Sequence, residues 1–304
     1  MFGEDIVDLD KLRLAGRIAA SVREYAKSIV KPGIRASEVC MRLEKLIIEL
    51  GGSPAFPCNL SINDVAAHYT PCFDDDVIIP EGSLVKVDVG VHIDGYIADT
   101  ATTIDLSGEY GKLVEAAEKA LEAVVSYVKP YTSLYEIGRV IEQEIRSRGF
   151  KPIRNLSGHN ITRYKVHGGL SIPNYADRSN RSTRLPPGSI IALEPFATNG
   201  RGLVVDKQVI NIYSYTGRKP KMALLDKEAW LLEVIIDRFK TLPFTPRWLV
   251  DVASPPELDR YIKALHAKGV LHGYPVLVEA GGGMVSQFEH TLYISESDVI
   301  VVTL

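Results

Sequence analysis

The tripeptide Val-Lys-Pro stands at residues 30–32 and again at 128–130, and the displacement of 98 positions carries other features with it. Glu38 returns as Glu136, Gly51 as Gly149 and Pro54 as Pro152. One repeated tripeptide would mean little. Four features at a constant spacing mark two related halves, and a duplicated unit constrains the fold more than any single motif. With small changes of spacing the match runs on. Asn59-Leu60-Ser61 recurs as Asn155-Leu156-Ser157, and His68 lies near the counterpart of His167. Gly82-Ser83-Leu84-Val85-Lys86-Val87-Asp88 reads like Gly188-Ser189-Ile190-Ile191-Ala192-Leu193-Glu194. In both of these a Gly-Ser turn leads into an apolar, β-rich strand that ends in an acid.

Each half opens with helices. Apolar residues fall at helical spacing from Leu12 to Ile29, and Val30-Lys31-Pro32-Gly33 stops that run. A second helix is expected from about Ser37 to Leu50, closed by Gly51-Gly52 with Pro54 just beyond. The expected fold class is α+β: two halves facing each other across a pseudo-two-fold axis, with helices flanking a mostly antiparallel, curved sheet. The second half is longer because residues 211–274 carry extra helical pattern, from Asp226 to Lys240 and from Pro255 to Lys268. That stretch reads as an inserted helical subdomain on a single domain spanning 1–304.

A net charge of -3 leaves no broad basic face, which argues against a protein that lives on nucleic acid or anionic membrane. No run approaches the ~20 apolar residues of a membrane span, and Asp5, Asp8 and Asp10 are the wrong flank for a signal peptide. Cys40, Cys58 and Cys72 cannot all pair with one another and show no Cys-x-x-Cys spacing, so they read as reduced, buried thiols. A cytoplasmic location is the expectation.

Asp88 and Asp99 lie on two apolar strands joined at Asp94-Gly95, a strong short-range hairpin signal. A two-residue turn pairs Ile93 with Tyr96, so Val91 faces Ala98 and Gly90 faces Asp99. Asp88 shares a face with Gly90, which makes the two carboxylates diagonal neighbours at roughly 7–8 Å or less. Taken alone, such a pair would be the solvated face of an edge hairpin. The repeat changes the weighting, because it sets Glu194 opposite Asp88 after another buried run. A partner for Asp99 is then due from the next strand of the second half. Gln287 to Ile294 reads as that strand, and Glu289 is its first acid. Four converging carboxylates need roughly two divalent cations for neutrality. A histidine among them would supply the imidazole that first-row transition metals favour over magnesium or calcium.

Of the seven histidines, three keep unusual company. His159 sits in a run of small residues, Asn155-Leu156-Ser157-Gly158-His159, read as a loop from which a side chain can reach inward. His68 and His167 form the pseudo-symmetric pair, while His92, His272 and His290 read as structural.

These residues resemble the methionine aminopeptidases, specifically the type II class, over essentially the whole chain. The resemblance runs through Ala55-Phe56-Pro57, Ala66-Ala67-His68-Tyr69-Thr70-Pro71, Lys86-Val87-Asp88-Val89-Gly90 and Ile97-Ala98-Asp99. It continues in Pro152-Ile153-Arg154-Asn155-Leu156, Gly158-His159, Val166-His167, Glu194-Pro195-Phe196 and Gln287-Phe288-Glu289-His290-Thr291. It implies the pseudo-two-fold pita-bread fold of that metallopeptidase family, and the insertion at 211–274 matches type II of archaeal form. It also implies a metal set of Asp88, Asp99, His159, Glu194 and Glu289, with Asp99 and Glu289 bridging two divalent ions (cobalt, manganese, iron or zinc). His159 and Glu194 would complete one site and Asp88 the other, the His159 site being the tighter. Glu194, His68 and His167 would be catalytic: Glu194 the proton shuttle, His68 and His167 the handlers of the substrate amide and the tetrahedral intermediate. Phe56, Val166, Phe196 and Tyr274, with His68 and His167, would line the substrate pocket. Ile212 stands where some members carry a further pocket histidine.

The implied activity is hydrolytic removal of the N-terminal methionine from nascent polypeptides with a small second residue. In it, a hydroxide bridging the ions attacks the first peptide bond. The implied partners are nascent-chain N-termini near the ribosome, with no specific nucleic acid, no membrane and a monomeric chain. Two rivals share the fold. One is a prolidase or Xaa-Pro aminopeptidase, which carries an added N-terminal domain and lacks this insertion. The other is a non-catalytic ribosome- or RNA-associated relative, a branch that has lost metal ligands, whereas all five are present here.

Overall fold

The computed structural model describes residues 7–304; Asp5, part of the acidic flank noted above, lies outside the described residues. The first half runs α1 (Leu9–Ile29), α2 (Ala36–Glu49), β1 (Ser53–Ile62), β2 (Val65–Ala67), β3 (Leu84–Ile93) and β4 (Tyr96–Asp105). The second begins α3 (Gly111–Tyr127), α4 (Leu134–Ser147), β5 (Lys151–Pro152), β6 (Ser157–Ile161) and β7 (Ser171–Pro173). It continues β8 (Ile190–Leu193), β9 (Phe196–Thr198), β10 (Val204–Tyr215), α5 (Asp226–Phe239) and α6 (Pro255–Ala267). It closes with β11 (Leu271–Glu279), β12 (Val285–Gln287), β13 (His290–Ile294) and β14 (Val299–Val301). This is an α+β fold, and the repeat is physical. The second helix of each half occupies equivalent positions, 36–49 and 134–147. Gly51 and Gly149 follow them in the left-handed region, at φ 88° and 85°, where a side chain would be strained.

The named strands pair antiparallel, in the orders β1-β3-β4, β14-β13-β8-β6-β7, β10-β11-β2 and β12-β9-β5. Leu12, Ile18, Val22, Leu43 and Ile47 of α1 and α2 bury themselves against Val85, Val87, Val89 and Val91 of β3. Helices α3 and α4 do the same with Ile191, Leu193 and Leu292. Each buried aliphatic side chain contributes about 1.5–3 kcal/mol, so these two clusters are the main source of stability. Strand alternation then turns Lys86, Asp88 and Gly90 away from the helices. Cys40 and Cys58 are buried, Cys72 is partly so, and all three are free thiols, as expected. Among the described residues no helix is long and apolar enough to cross a membrane.

Strands β10 and β11 pair with Ile212 opposite Tyr274, and between them the chain leaves to form α5 and α6. Ser254 and Glu257 cap α6 reciprocally, with Pro255 in its first turn. Leu231, Ile235, Phe244, Leu249, Leu258 and Ile262 build a cluster of their own around these helices.

Two expectations change. Gln287 to Ile294 is not one strand: β12 pairs with β9 and β13 with β8, so the chain switches partner across Phe288 and Glu289. His159, expected in a loop, lies within β6, which is paired on both sides. Gly158 permits that close approach, since a Cβ there would sit 2.4 Å from the Ala192 carbonyl oxygen.

At the end of β11 the Glu279 carboxylate accepts hydrogen bonds from the backbone N–H groups of Arg201, Gly202, Gly281 and Gly283. Burial pushes its pKa up, but the four donors prevail and hold it below the ordinary 4.5. A depressed carboxylate contributes stability that is present above its unfolded pKa and is lost as pH falls through the folded one. Glu279→Gln turns an amide against four donors. It is expected to cost about 1–3 kcal/mol in urea unfolding at neutral pH. The difference from the parent is expected to shrink as pH falls below 4.5.

Candidate metal centre

The hairpin β3–β4 carries the first two acids. Ile93 pairs with Tyr96, Val91 with Ala98 and Gly90 with Asp99, the register the two-residue turn predicts. Glu194 directly follows β8, and Glu289 sits at the partner switch between β12 and β13. The Glu289 N–H donates to the Ala101 carbonyl at 3.2 Å, and Ala101 is the residue opposite Asp88. Threonines lock this seam between the halves. The Thr291 hydroxyl accepts from the Asp99 N–H at 2.7 Å and donates to the Asp99 carbonyl at 2.8 Å. The Thr100 hydroxyl donates to the Glu289 carbonyl at 2.8 Å. The backbones of Asp99 and Glu289, one from each half, are thereby held in one frame.

His159 reaches the same place from β6, with Nε2 3.7 Å from Asp99 Oδ2 and 3.6 Å from Glu194 Oε1. Asp99, His159 and Glu289 are all buried, and they offer ligand atoms that lie within 4.8 Å of one another. Asp88 is tied to this group by Gln287, whose amide donates to Asp88 Oδ2 at 3.2 Å and to Glu289 Oε2 at 3.4 Å. All five residues read from the sequence therefore converge on one place.

Burial pushes the Asp88 carboxyl up to about 7, against the hydrogen bond from Gln287. Asp99, Glu194 and Glu289 are held well above the carboxylate range, by burial first and by the charges of their acidic neighbours second. His159 is pushed down to about 3 by burial and then by His167, which leaves a neutral imidazole. Asp88 Oδ1 and Asp99 Oδ1 are buried without a hydrogen-bond partner among the described residues. Oxygens that repel one another, two of them orphaned, with one neutral imidazole, are a donor set that divalent transition-metal ions satisfy. The residues fit such ions.

A cavity of about 430 Å³ opens beside this cluster, walled by Phe56, Val166, Phe196, Ile212 and Tyr274. His68 and His167 also line it. His68 holds a left-handed backbone, φ 64°, and its Nδ1 lies 3.2 Å from the Pro275 carbonyl oxygen. The His167 ring packs edge-on against His159 at 4.5 Å and leans toward Tyr274 at 6.0 Å. His167 faces the open cavity, yet protein surrounds it on most sides, and burial lowers both His68 and His167 to about 4. Of the three histidines read as structural, none lines the cavity. His92 Nδ1 accepts from the Gly95 N–H at 3.2 Å, His290 Nδ1 lies 2.9 Å from the Thr303 hydroxyl, and His272 packs edge-on against Tyr274 at 4.6 Å.

Sequence reasoning gave no role to Gln287 or Asn59. Asn59 pairs with Asp88 across β1 and β3, lines the cavity and keeps a buried Oδ1 without a partner among the described residues. Register shifts on both sides of Phe56 break the β1–β3 ladder, so counting along the strand could not find that pairing. Gln287 had a signal: it precedes Glu289 by two residues.

Residues 10–296 match the metallopeptidase family M24. The chain is 47% identical over 298 residues to a methionine aminopeptidase of Pyrococcus horikoshii, covering 98% of this chain and all of that one. A methionine aminopeptidase structure from Thermotoga maritima superposes with a TM-score of 0.70 at 23% identity, over 98% of each chain. A thermophilic Arx1 superposes with a TM-score of 0.84 at 17% identity, over 99% of this chain and 91% of that one. At these identities the two superpositions speak to the fold alone.

Proposed function

This chain belongs to metallopeptidase family M24, and we infer that it removes the N-terminal methionine from polypeptides by metal-dependent hydrolysis. What carries the reading is an apolar cavity that opens directly onto four carboxylates, two buried and two half-buried, and one imidazole. Asp88, Asp99, His159, Glu194 and Glu289 would hold two divalent cations, a number that balances the four carboxylates. Asp99 and Glu289, which meet at the seam, would be shared by the two. Manganese, iron, cobalt and zinc all suit the set, and the side with His159 should bind more tightly. Bound there, the cations supply Lewis acidity, lowering the pKa of a water and polarising the scissile carbonyl.

The remaining work falls to side chains. Phe56, Val166, Phe196, Ile212 and Tyr274 receive the methionine side chain, whose sulfur makes favourable contacts with aromatic edges. Glu194 takes the proton of the attacking water and passes it to the leaving amine. The Pro275 carbonyl can only accept, so the proton of neutral His68 sits on Nδ1 and its Nε2 presents a lone pair. His68 therefore accepts the N–H of the substrate amide. His167, also neutral, donates to the oxygen on which charge develops.

Residues 211–274 are read as a helical subdomain inserted into one catalytic domain, spliced at the Ile212–Tyr274 pair. The proposed substrates are nascent chains with a small second residue, met near the ribosome by a monomeric, cytoplasmic enzyme. Metal-loaded protein should cleave Met-Ala-Ser and leave Xaa-Pro peptides intact. Preference for Xaa-Pro would move the chain to the prolidases, and absence of metal-dependent turnover would leave it a scaffold.

A further inference from the structure

The turn Pro246–Leu249 lies inside the insertion, yet its Arg247 reaches back into the first half of the molecule. There it forms a two-pronged ion pair with Glu44 of α2, through Nη1 at 2.6 Å and through Nη2. Both side chains are largely buried, 12% and 8% exposed, so the pair is favourable only if its remaining donors and acceptors are filled. They are filled from three segments: β1, the stretch after β2, and the turn itself. Glu44 Oε1 accepts from the Cys58 N–H at 3.0 Å and Oε2 from Trp248 Nε1 at 2.9 Å. Arg247 Nε donates to the Pro71 carbonyl at 3.0 Å, and Nη2 reaches the Thr70 hydroxyl at 3.3 Å.

Thr70 and Pro71 are the residues just past His68. Strand β2 ends at Ala67, so the sheet ladder does not extend to His68. Its backbone nonetheless holds a positive φ, a conformation that persists in a non-glycine residue only when its surroundings over-determine it. Besides the ring contact with Pro275 and the Tyr69 hydroxyl bond to Asp75, hydrogen bonds to three successive backbone carbonyls hold this segment. Leu60 N–H donates to the Tyr69 carbonyl at 2.9 Å, Asn211 Nδ2 donates to the Thr70 carbonyl at 2.9 Å, and the Arg247 guanidinium grips the next peptide. At its other end the ion pair takes up the Cys58 N–H, which sits in the bulge between Phe56 and Asn59 of the cavity wall. Neither Glu44 nor Arg247 lines the cavity.

We propose that Arg247 is a positioning residue for His68, acting through Thr70 and Pro71, with Glu44 as its anchor. The inserted subdomain thereby sets the geometry of the hydrolytic site from outside it. This rests on His68 being the acceptor for the substrate amide. Arg247→Lys keeps the charge and loses the planar fork that spans Glu44 and Pro71. With metal-loaded enzyme and Met-Ala-Ser, it is expected to lower kcat about tenfold with KM changed less than about twofold. In a His68→Ala background the same substitution is expected to change kcat less than about twofold, because the residue it positions is gone. Glu44→Gln gives a second route and should show the same suppression. Trp248→Phe removes one hydrogen bond from the same carboxylate without touching Pro71; it should lower Tm and leave kcat within about twofold.

Equal losses with and without His68, or a Trp248→Phe enzyme as slow as Arg247→Lys, would reduce the ion pair to a structural tie and overturn the proposal. A His68→Ala enzyme with unchanged kcat would instead remove the assignment of His68 itself, and the proposal with it.

Discussion

Glu194→Gln is expected to lower kcat for Met-Ala-Ser by about 10²- to 10⁴-fold, with KM within a few-fold of the parent. Gln keeps the shape of the side chain but cannot take a proton from water. The substitution leaves unaltered the proposed methionine pocket of Phe56, Val166, Phe196, Ile212 and Tyr274, so substrate affinity should survive. Because Glu194 is also a proposed ligand, the measurement belongs at saturating metal with bound metal assayed alongside. A second readout separates charge from damage. Glu194 is raised well above its ordinary value by burial and by Asp88. Removing its charge should therefore raise the Tm of the chelator-treated protein even as turnover collapses. A variant at full metal occupancy that retains more than about a tenth of the parental kcat would take the proton shuttle away from Glu194.

Chelation is expected to abolish turnover and also to reverse the pH dependence of stability that Glu279 exemplifies. Without metal, Asp88 titrates at about 7 in the folded chain against an ordinary 3.8. Between those values the folded state binds more protons than the unfolded state, so stability falls as pH rises through that window. Asp99, Glu194 and Glu289 shift in the same direction. The buried histidines, lowered to about 4 or below, oppose this trend below their ordinary 6.5. The carboxylate effect is therefore read against metal-loaded protein: relative to that control, chelator-treated protein should lose several degrees of Tm between pH 5 and neutral pH. An ion at a hundred times its dissociation constant should restore about 2.7 kcal/mol per site and remove that carboxylate-driven loss. Identical melting curves across that range with and without chelator would mean that these carboxylates do not hold metal.

The hairpin of Asp88 and Asp99 was legible to the residue. Its register depends on a two-residue turn and strict alternation, both local properties of the chain. Helix ends were legible for a similar reason: Gly51 and Gly149 stop helices by their own backbone freedom. Glu289 was legible as an acid of the right neighbourhood but not in its conformation, because the break between β12 and β13 follows from a change of pairing partner. His159 was misplaced in a loop because small residues signal turns locally. Here Gly158 serves a close approach between β6 and β8 that only the assembled sheet creates. Asn59 escaped notice behind irregularities in the β1–β3 ladder.

By itself the sequence determined the duplicated α+β plan, the four acids and the histidine that the structure brings together, and where the chain leaves the second half to form α5 and α6. These follow from spacing, alternation and repetition along one chain. Only the tertiary structure decided that Thr100 and Thr291 join the halves at Asp99 and Glu289, that Gln287 ties Asp88 to the group, and that Arg247 braces the segment after His68. Each of those contacts joins residues far apart in the chain. Their geometry is set when helices and sheets pack, and no local pattern records it.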